Sequence, residues 1–232
     1  MTAIVLDDIR FETEFETLAN RLRVSEGSAS AKQLEQLLAE AHTIARPKAL
    51  YRVAYVESKA EDSVCLDGHW FKSRVLRVNL EDVHRVFPFV ATCGRELYAW
   101  KTSMDDMLQR FYAETINEAA LGAAREALKR HLVDTYRLGR TARMNPGSLQ
   151  DWPITSQRTL FALLGDPEAA IGVHLTESML MIPQKSVSGI RFATERRFES
   201  CQLCPRDVCP NRRAPYEEGL YEAEFSPSPR GH

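Results

Sequence analysis

The spacing of hydrophobic and polar residues predicts a clear amphipathic helix near the N-terminus. In the stretch 25–47, leucine, alanine and isoleucine recur three and four residues apart, which places them on one face of a helix. Ser30 and Gln33 have the spacing of a capping box, and Pro47 lies just past the end of the pattern. Three shorter runs rich in valine and aromatic residues are typical of strands; they are 51–56, 74–80 and 86–94.

The second half of the chain continues with helical patterns, a loop and two further strands. Helical spacing resumes over about 103–136, and the composition of 145–153 predicts a loop. A short helix capped by Thr155 should end at Gly165. Residues 174–193 have the pattern of two strands around a Pro-Gln-Lys-Ser turn. Because helices and strands are segregated more than they alternate, we expect an α+β fold with a largely antiparallel sheet.

The amino-acid composition indicates the general class of protein but does not indicate a function. The 232 residues are 44% hydrophobic and 27% charged, which is ordinary for a globular chain. A net charge of −2 gives no reason to expect nucleic acid or an anionic membrane as a partner. No apolar run reaches the length of a membrane span, and the acidic N-terminus lacks the order of a signal peptide. We therefore expect a cytoplasmic protein with reduced thiols.

Cysteine is concentrated near the C-terminus. Cys201, Cys204 and Cys209 follow a C-x2-C-x4-C spacing, whereas structural zinc and common iron–sulfur clusters take four ligands. In a reducing compartment such a cluster indicates metal binding or redox chemistry before a disulfide framework. Cys93 is the favoured distant fourth ligand, and Cys65 is possible. Three interpretations stay open: a [4Fe–4S] cluster, zinc completed by Cys93 or a histidine, and free thiols or a thiol redox pair.

Two other stretches have candidate binding chemistry. Arg143 precedes a Pro-Gly turn, and a guanidinium fork beside exposed backbone amides suits a carboxylate. On this stretch alone, a surface arginine before a turn is the simpler explanation. The stretch 175–189 places polar residues among apolar ones, which is also typical of a half-buried hairpin.

Taken in order, these stretches resemble the activation domain of cobalamin-dependent methionine synthase. The matching motifs are R-x-x-P-G at 143–147, L-T-E-S at 175–178, M-x-P at 181–183 and S-V-S-G at 186–189, preceded by a similar helix at 123–132. They cover about residues 119–198, and weaker agreement extends towards the N-terminus. We expect one activation-like domain over 1–225, with a cysteine-rich segment at 198–216 that departs from the family, and a disordered tail at 226–232.

The resemblance implies a fold and a function. The family fold is a C-shaped α+β domain with a central antiparallel sheet and long helices. The domain binds S-adenosylmethionine and supports reductive methylation of cob(II)alamin, with an electron from a donor such as flavodoxin or ferredoxin. This chain has no D-x-H-x-x-G cobalamin-binding loop, so we expect cobalamin only on a partner, such as a methionine synthase that lacks its own activation domain. The chain would then contribute to methyltransferase activity in trans.

The resemblance also implies site residues. Arg143 would hold the carboxylate of the ligand, and Glu126 would face the ligand from the helix. Further candidates are the turn residues Asn145 and Gly147, Ser148 where the family has a tyrosine, and Glu177 of the L-T-E-S motif. No catalytic side chain is expected, because the cobalt is the nucleophile. Two other functions stay open: an iron–sulfur redox activator of another corrinoid methyltransferase, and a non-catalytic corrinoid-protein adaptor.

Overall fold

A central antiparallel sheet organises the chain. The computed structural model describes residues 2–196, 198–209 and 212–226. Its strands are β1 (Ile4–Leu6), β2 (Lys48–Tyr51), β3 (Ala54–Lys59), β4 (Ser63–Leu66), β5 (His69–Lys72), β6 (Arg85–Thr92), β7 (Thr141–Met144), β8 (His174–Leu175), β9 (Met181–Ile182) and β10 (Ser186–Ala193). Within these residues, β8 and β9 pair only with each other, and the other eight strands form one sheet.

Eight helices accompany the strands in the described part of the chain. They are α1 (Phe15–Leu22), α2 (Ala29–Ile44), α3 (Arg74–Asn79), α4 (Arg95–Thr102), α5 (Met107–Tyr136), α6 (Gln157–Leu164), α7 (Pro167–Ile171) and α8 (Leu220–Glu224). Short 3₁₀ turns occur at Ile154–Ser156 and Ser200–Leu203. The 30-residue helix α5 is the longest element. None of the described helices is long and apolar enough to cross a membrane.

Strand β6 lies at the centre of the sheet. It pairs antiparallel with β2 and β3 along one edge and with β10 along the other, and β10 then pairs antiparallel with β7. The register places Arg191 of β10 opposite both Phe87 of β6 and Arg143 of β7. The expected α+β class with a central antiparallel sheet and a long helix is therefore confirmed.

The two faces of the sheet bury different hydrophobic clusters. Phe87 and Phe89 belong to the cluster that includes residues of α2 and α5, and Val86 and Val90 belong to the cluster that includes residues of α3 and α6. Neighbouring side chains on a strand point to opposite faces. Since the residues on either side of Arg143 and Arg191 belong to the second cluster, both arginines project towards the face covered by α5.

Three predictions of local secondary structure were wrong. In each case a distant residue, a break within a predicted strand or a different capping residue determined the structure. The run 74–80 forms helix α3, not a strand, because Ser73 caps its first turn and Asp151 accepts the amides of Arg74 and Val75. The expected strand over 51–56 is divided between β2 and β3. Helix α2 begins after Ser28, whose hydroxyl accepts the Ala31 amide, and not at Ser30.

The C-terminal half also differs in detail. The expected two-strand hairpin over 174–193 is instead a short β8–β9 pair followed by β10, which joins the main sheet. Helix α6 follows a 3₁₀ turn and has Ser156, not Thr155, before its first residue. Of the tail expected to be disordered, residues 227–232 lie outside the described part of the chain, as do residues 197, 210 and 211 of the C-terminal region.

Candidate ligand-binding site

The R-x-x-P-G motif folds into a tight turn at the end of β7. The Ser148 amide donates to the Asn145 carbonyl at 3.1 Å, and Gly147 has a φ of 81°. Pro146 at the second position and a positive φ at the third are the features of a type II turn. A Cβ added to Gly147 would also lie 2.7 Å from the Cδ1 atom of Ile154, so both conformation and space require glycine there.

The S-V-S-G motif holds this turn from the neighbouring strand. The Nδ2 atom of Asn145 donates to the Ser188 carbonyl at 2.6 Å. A Cβ on Gly189 would lie 2.5 Å from both the Met144 carbonyl oxygen and Asn145 Nδ2. The two motifs therefore belong together because the second allows the first to approach the sheet. In this arrangement the Asn145 side chain positions the turn.

Arg143 is half-buried beside this turn and has no polar partner in the described part of the chain. Its guanidinium makes no hydrogen bond or ion pair with another described residue. Burial, together with the nearby charges of Arg125, Arg213 and Arg191, lowers the pKa of Arg143 to about 9. A desolvated guanidinium among like charges is an unfavourable arrangement that a bound anion would relieve.

Arg191 and Arg125 extend the positive region. Arg191 is 7% exposed, its Nη1 donates to Thr141 Oγ1 at 2.8 Å, and its Nε has no partner among the described residues. Burial lowers its pKa to about 10, and Glu126 opposes that shift. Arg125 on α5 likewise has a buried Nε without a partner in the described chain, and burial followed by Arg213 lowers its pKa.

The fourth arginine comes from the cysteine-rich segment. Arg213 pairs with Glu199 at 3.0 Å, and its charge acts on Arg125, Arg143 and Arg191. We call these four residues the arginine cluster. The sequence motifs indicate only Arg143, because strand register, α5 and the C-terminal segment bring the other three arginines to it. The alternation of β10, which puts Arg191 on the α5 face, is the one signal that could have indicated a second member.

The acidic candidates have different surroundings. Glu126 has a side chain that is 65% exposed and pairs with Lys129 at 3.3 Å, yet its charge raises the pKa values of Arg125 and Arg191. Glu177 lies in the exposed link between β8 and β9, where its carbonyl accepts a hydrogen bond from Arg158. The structure therefore brings Glu126 to the edge of the arginine cluster and shows no contact between Glu177 and the cluster.

A cavity of about 860 Å³ lies beside the turn, and Arg143 is not among the residues that line it. Gly147 and Ser148 line it together with Tyr216, Tyr221 and Cys204. This volume is within the usual range for small-molecule sites. The candidate residues Gly147 and Ser148 thus face a space next to the strand that bears Arg143.

The structure does not bring the predicted fourth cysteine to the cluster. Cys93 is fully buried, and its amide donates to the Lys185 carbonyl just before β10, whereas Cys201 follows the other end of β10. An eight-residue strand is about 25 Å long. Cys65 lies on β4, where its Sγ is 3.6 Å from a carboxylate oxygen of Glu57. Among the described residues neither distant cysteine has a contact with Cys201: the Cys93 and Cys65 thiols contact Gly94 and Glu57, and the Cys201 sulfur accepts the Arg213 amide.

The remaining cysteines also lack a metal-binding arrangement in the described residues. No group of three or more histidine, cysteine, aspartate or glutamate side chains is placed there to hold an ion. The residues after Cys209, at 210–211, lie outside the description. Cys201 Sγ accepts the Arg213 amide at 3.4 Å. Burial alone would raise the pKa of the Cys201 thiol, but the hydrogen bonds and charge of Arg213 lower it overall.

Comparison with known proteins identifies the region that contains this turn. A family model described as "Vitamin B12 dependent methionine synthase, activation domain" matches residues 104–207. Residues 104–207 thus match the activation-domain family. They run from just before α5 to the cysteine-rich segment and include the turn, β10, Arg125, Arg143 and Arg191. The resemblance that the sequence motifs indicated is confirmed.

A solved structure shows that the likeness of fold extends beyond this region. The structure titled "Crystal Structure of the MetH Reactivation Domain bound to AdoHcy" matches with a TM-score of 0.58 and 15% sequence identity. The match covers 86% of this chain and 81% of that one. A search of curated proteins found no match. The activation-domain fold therefore includes most of the N-terminal part that the family model leaves out.

Proposed function

We propose that this chain binds S-adenosylmethionine through Arg143 and supports reductive methylation of cob(II)alamin on a separate corrinoid protein. The observation that carries the proposal is the Arg143 guanidinium, which is half-buried and unpartnered among the described residues, within the activation-domain region. The similar MetH domain was solved with AdoHcy, which is what S-adenosylmethionine becomes when it gives up its methyl group. That ligand carries a carboxylate that suits a guanidinium fork.

The geometry supports contacts between two parts of the ligand and two neighbouring parts of the protein. The carboxylate would bind Arg143 on the α5 face, and the exposed turn residues Gly147 and Ser148 would lie along the rest of the molecule. Ser148 replaces the tyrosine expected from the family, and the cavity beside it is lined by Tyr216 and Tyr221. An aromatic ring from the C-terminal segment could therefore provide the stacking surface that a tyrosine at position 148 would have given.

The chain contributes binding and orientation to the reaction. S-adenosylmethionine supplies the methyl group, and the partner's corrinoid supplies the nucleophile. Arg143 fixes one end of the ligand, and the turn held by Asn145 and Gly189 fixes the position of Arg143. Holding a methyl donor in a productive geometry is a large part of catalysis when the protein provides no reacting group.

We further propose the setting of this function. Residues 1–225 would act as one cytoplasmic domain, in trans, on a corrinoid protein such as a methionine synthase without its own activation domain. The electron would come from a separate donor such as flavodoxin or ferredoxin. The sequence motifs support this setting, since they match the activation region and contain no cobalamin-binding loop. The cysteine positions give no support to a bound iron–sulfur cluster as the electron source.

Calorimetry with S-adenosylmethionine tests the proposal. We expect saturable binding by the unaltered chain in a phosphate-free buffer and at least about tenfold weaker binding by Arg143→Gln, because one charge-assisted contact is lost. Arg130→Gln is the matched control, since Arg130 is an exposed arginine on α5. Absence of binding by the unaltered chain, or equal binding by Arg143→Gln, would contradict the proposal.

A further inference from the structure

The arginine cluster holds more positive charge than its surroundings offset. Four guanidinium groups act on one another, and the opposing carboxylates are Glu126 and Glu199. Even when both are counted in full, although Glu126 also pairs with Lys129, an excess of two positive charges remains. Glu118 also acts on Arg125, but it is already paired with Arg21 at 2.9 Å and Lys185 at 3.5 Å. Like charges in a partly desolvated site repel strongly.

The cluster also contains buried donors without acceptors. The Nε atoms of Arg191 and Arg125 are buried and have no hydrogen-bond partner in the described chain, and Arg191 is 93% buried as a residue since it is 7% exposed. Arg143 adds a guanidinium without a described partner. A buried donor left without an acceptor costs free energy, so several such donors on arginines whose charges act on one another indicate a missing acceptor.

S-adenosylmethionine alone does not remove this excess. It has one carboxylate, one ammonium and one sulfonium, so it adds a net positive charge to a site that is already positive. A ligand with two negative charges and several acceptor oxygens would offset the excess and satisfy several guanidinium forks at once. Phosphate and phosphomonoesters have this chemistry near neutral pH.

We propose that Arg125, Arg143, Arg191 and Arg213 form a binding site for a phosphate-class dianion. The inference rests on the same Arg143 site as the proposed function and adds a second class of ligand to it. Because Arg213 belongs to the cysteine-rich segment and Arg191 to the central sheet, the anion bridges the two. Phosphate should therefore hold the segment against the sheet as well as occupy the cluster.

Titration with inorganic phosphate tests the site in the absence of S-adenosylmethionine. The readouts are calorimetry and ³¹P NMR at constant ionic strength, with chloride as the balancing anion. We expect saturable binding by the unaltered chain, and at least about tenfold weaker binding by Arg191→Gln and by Arg213→Gln. Arg130→Gln on the exposed face of α5 should leave binding unchanged. Arg213→Gln keeps the test valid if the buried Arg191→Gln variant does not fold.

Two further arms separate the possible results. Adenosine 5′-monophosphate is titrated beside adenosine, which lacks the phosphate group. Tighter binding of the monophosphate than of inorganic phosphate indicates that the natural ligand is a phosphomonoester, and the reverse order indicates free phosphate. Absence of saturable binding of both inorganic phosphate and adenosine 5′-monophosphate at millimolar concentration would overturn the inference. Equal losses of phosphate binding in Arg130→Gln and Arg213→Gln would also overturn it. Calorimetry of Arg143→Gln with S-adenosylmethionine is read separately, so either proposal can fail while the other stands.

Discussion

Replacing Gly189 with alanine tests whether the S-V-S-G motif exists to position the strand that carries Arg143. The added Cβ would lie 2.5 Å from the Met144 carbonyl oxygen and from Asn145 Nδ2, closer than the 3.0 Å below which such contacts essentially do not occur. One of these atoms belongs to the backbone, so β7 itself must move. Overpacking of this kind costs about 1–3 kcal/mol. For a chain of this size, that lowers the melting temperature by about 2–12 °C.

The assay combines thermal unfolding with calorimetry. Gly189→Ala should unfold earlier and should bind S-adenosylmethionine several-fold more weakly, because the displaced strand moves Arg143. Gly122→Ala is the control: a Cβ at Gly122, inside α5, meets nothing within 4 Å. That change should stabilise the chain by about 0.5–1 kcal/mol through helix propensity. Unchanged stability and ligand affinity in Gly189→Ala would refute the positioning role of the motif.

Two other predictions concern the capping aspartate and the thiols. Asp151→Ala should lower the free energy of unfolding by about 1–2 kcal/mol in urea denaturation, because the carboxylate accepts the first amides of α3 and ties the 145–153 loop to that helix; an unchanged midpoint would contradict this. In the native protein, iodoacetamide near neutral pH should label Cys201 and spare Cys93, since burial raises the pKa of Cys93 to about 12 while Arg213 lowers that of Cys201. Mass spectrometry of the labelled peptides checks the order, and early labelling of Cys93 would refute it.

The parts of the fold that sequence predicted correctly are those decided by local pattern. Helix α5 repeats its buried positions for 30 residues, and β6 is an uninterrupted apolar run, so neither needs information from elsewhere in the chain. Helix α3 has only six residues and depends on a carboxylate 77 positions away, at Asp151, for its first amide. Its valines have high strand propensity, and a distant cap overrode that preference.

The residues of the candidate site also fall into two groups: those that a local motif indicates and those that only the fold brings together. Arg143 could be found because its turn has a local signature of proline and glycine, and the structure places it at a desolvated position. Arg191 lies opposite it only because of the register between β7 and β10. Arg213 belongs to the cysteine-rich segment, which follows β10 in the chain, and its charge acts on both arginines. Cys93 is the favoured distant fourth ligand in the sequence because sequence gives no measure of its distance from Cys201 in the fold.

Arg213 joins the ligand site to the cysteine-rich segment through two different parts of one residue. Its amide donates to Cys201 Sγ, and its guanidinium acts on the other members of the arginine cluster. Without an anion, repulsion from three guanidinium groups opposes this position, and Glu199 offsets only part of it. An anion in the cluster turns that repulsion into attraction. The same event would then fix the Arg213 amide beside Cys201, so occupancy of the anion site and the environment of the thiol should change together.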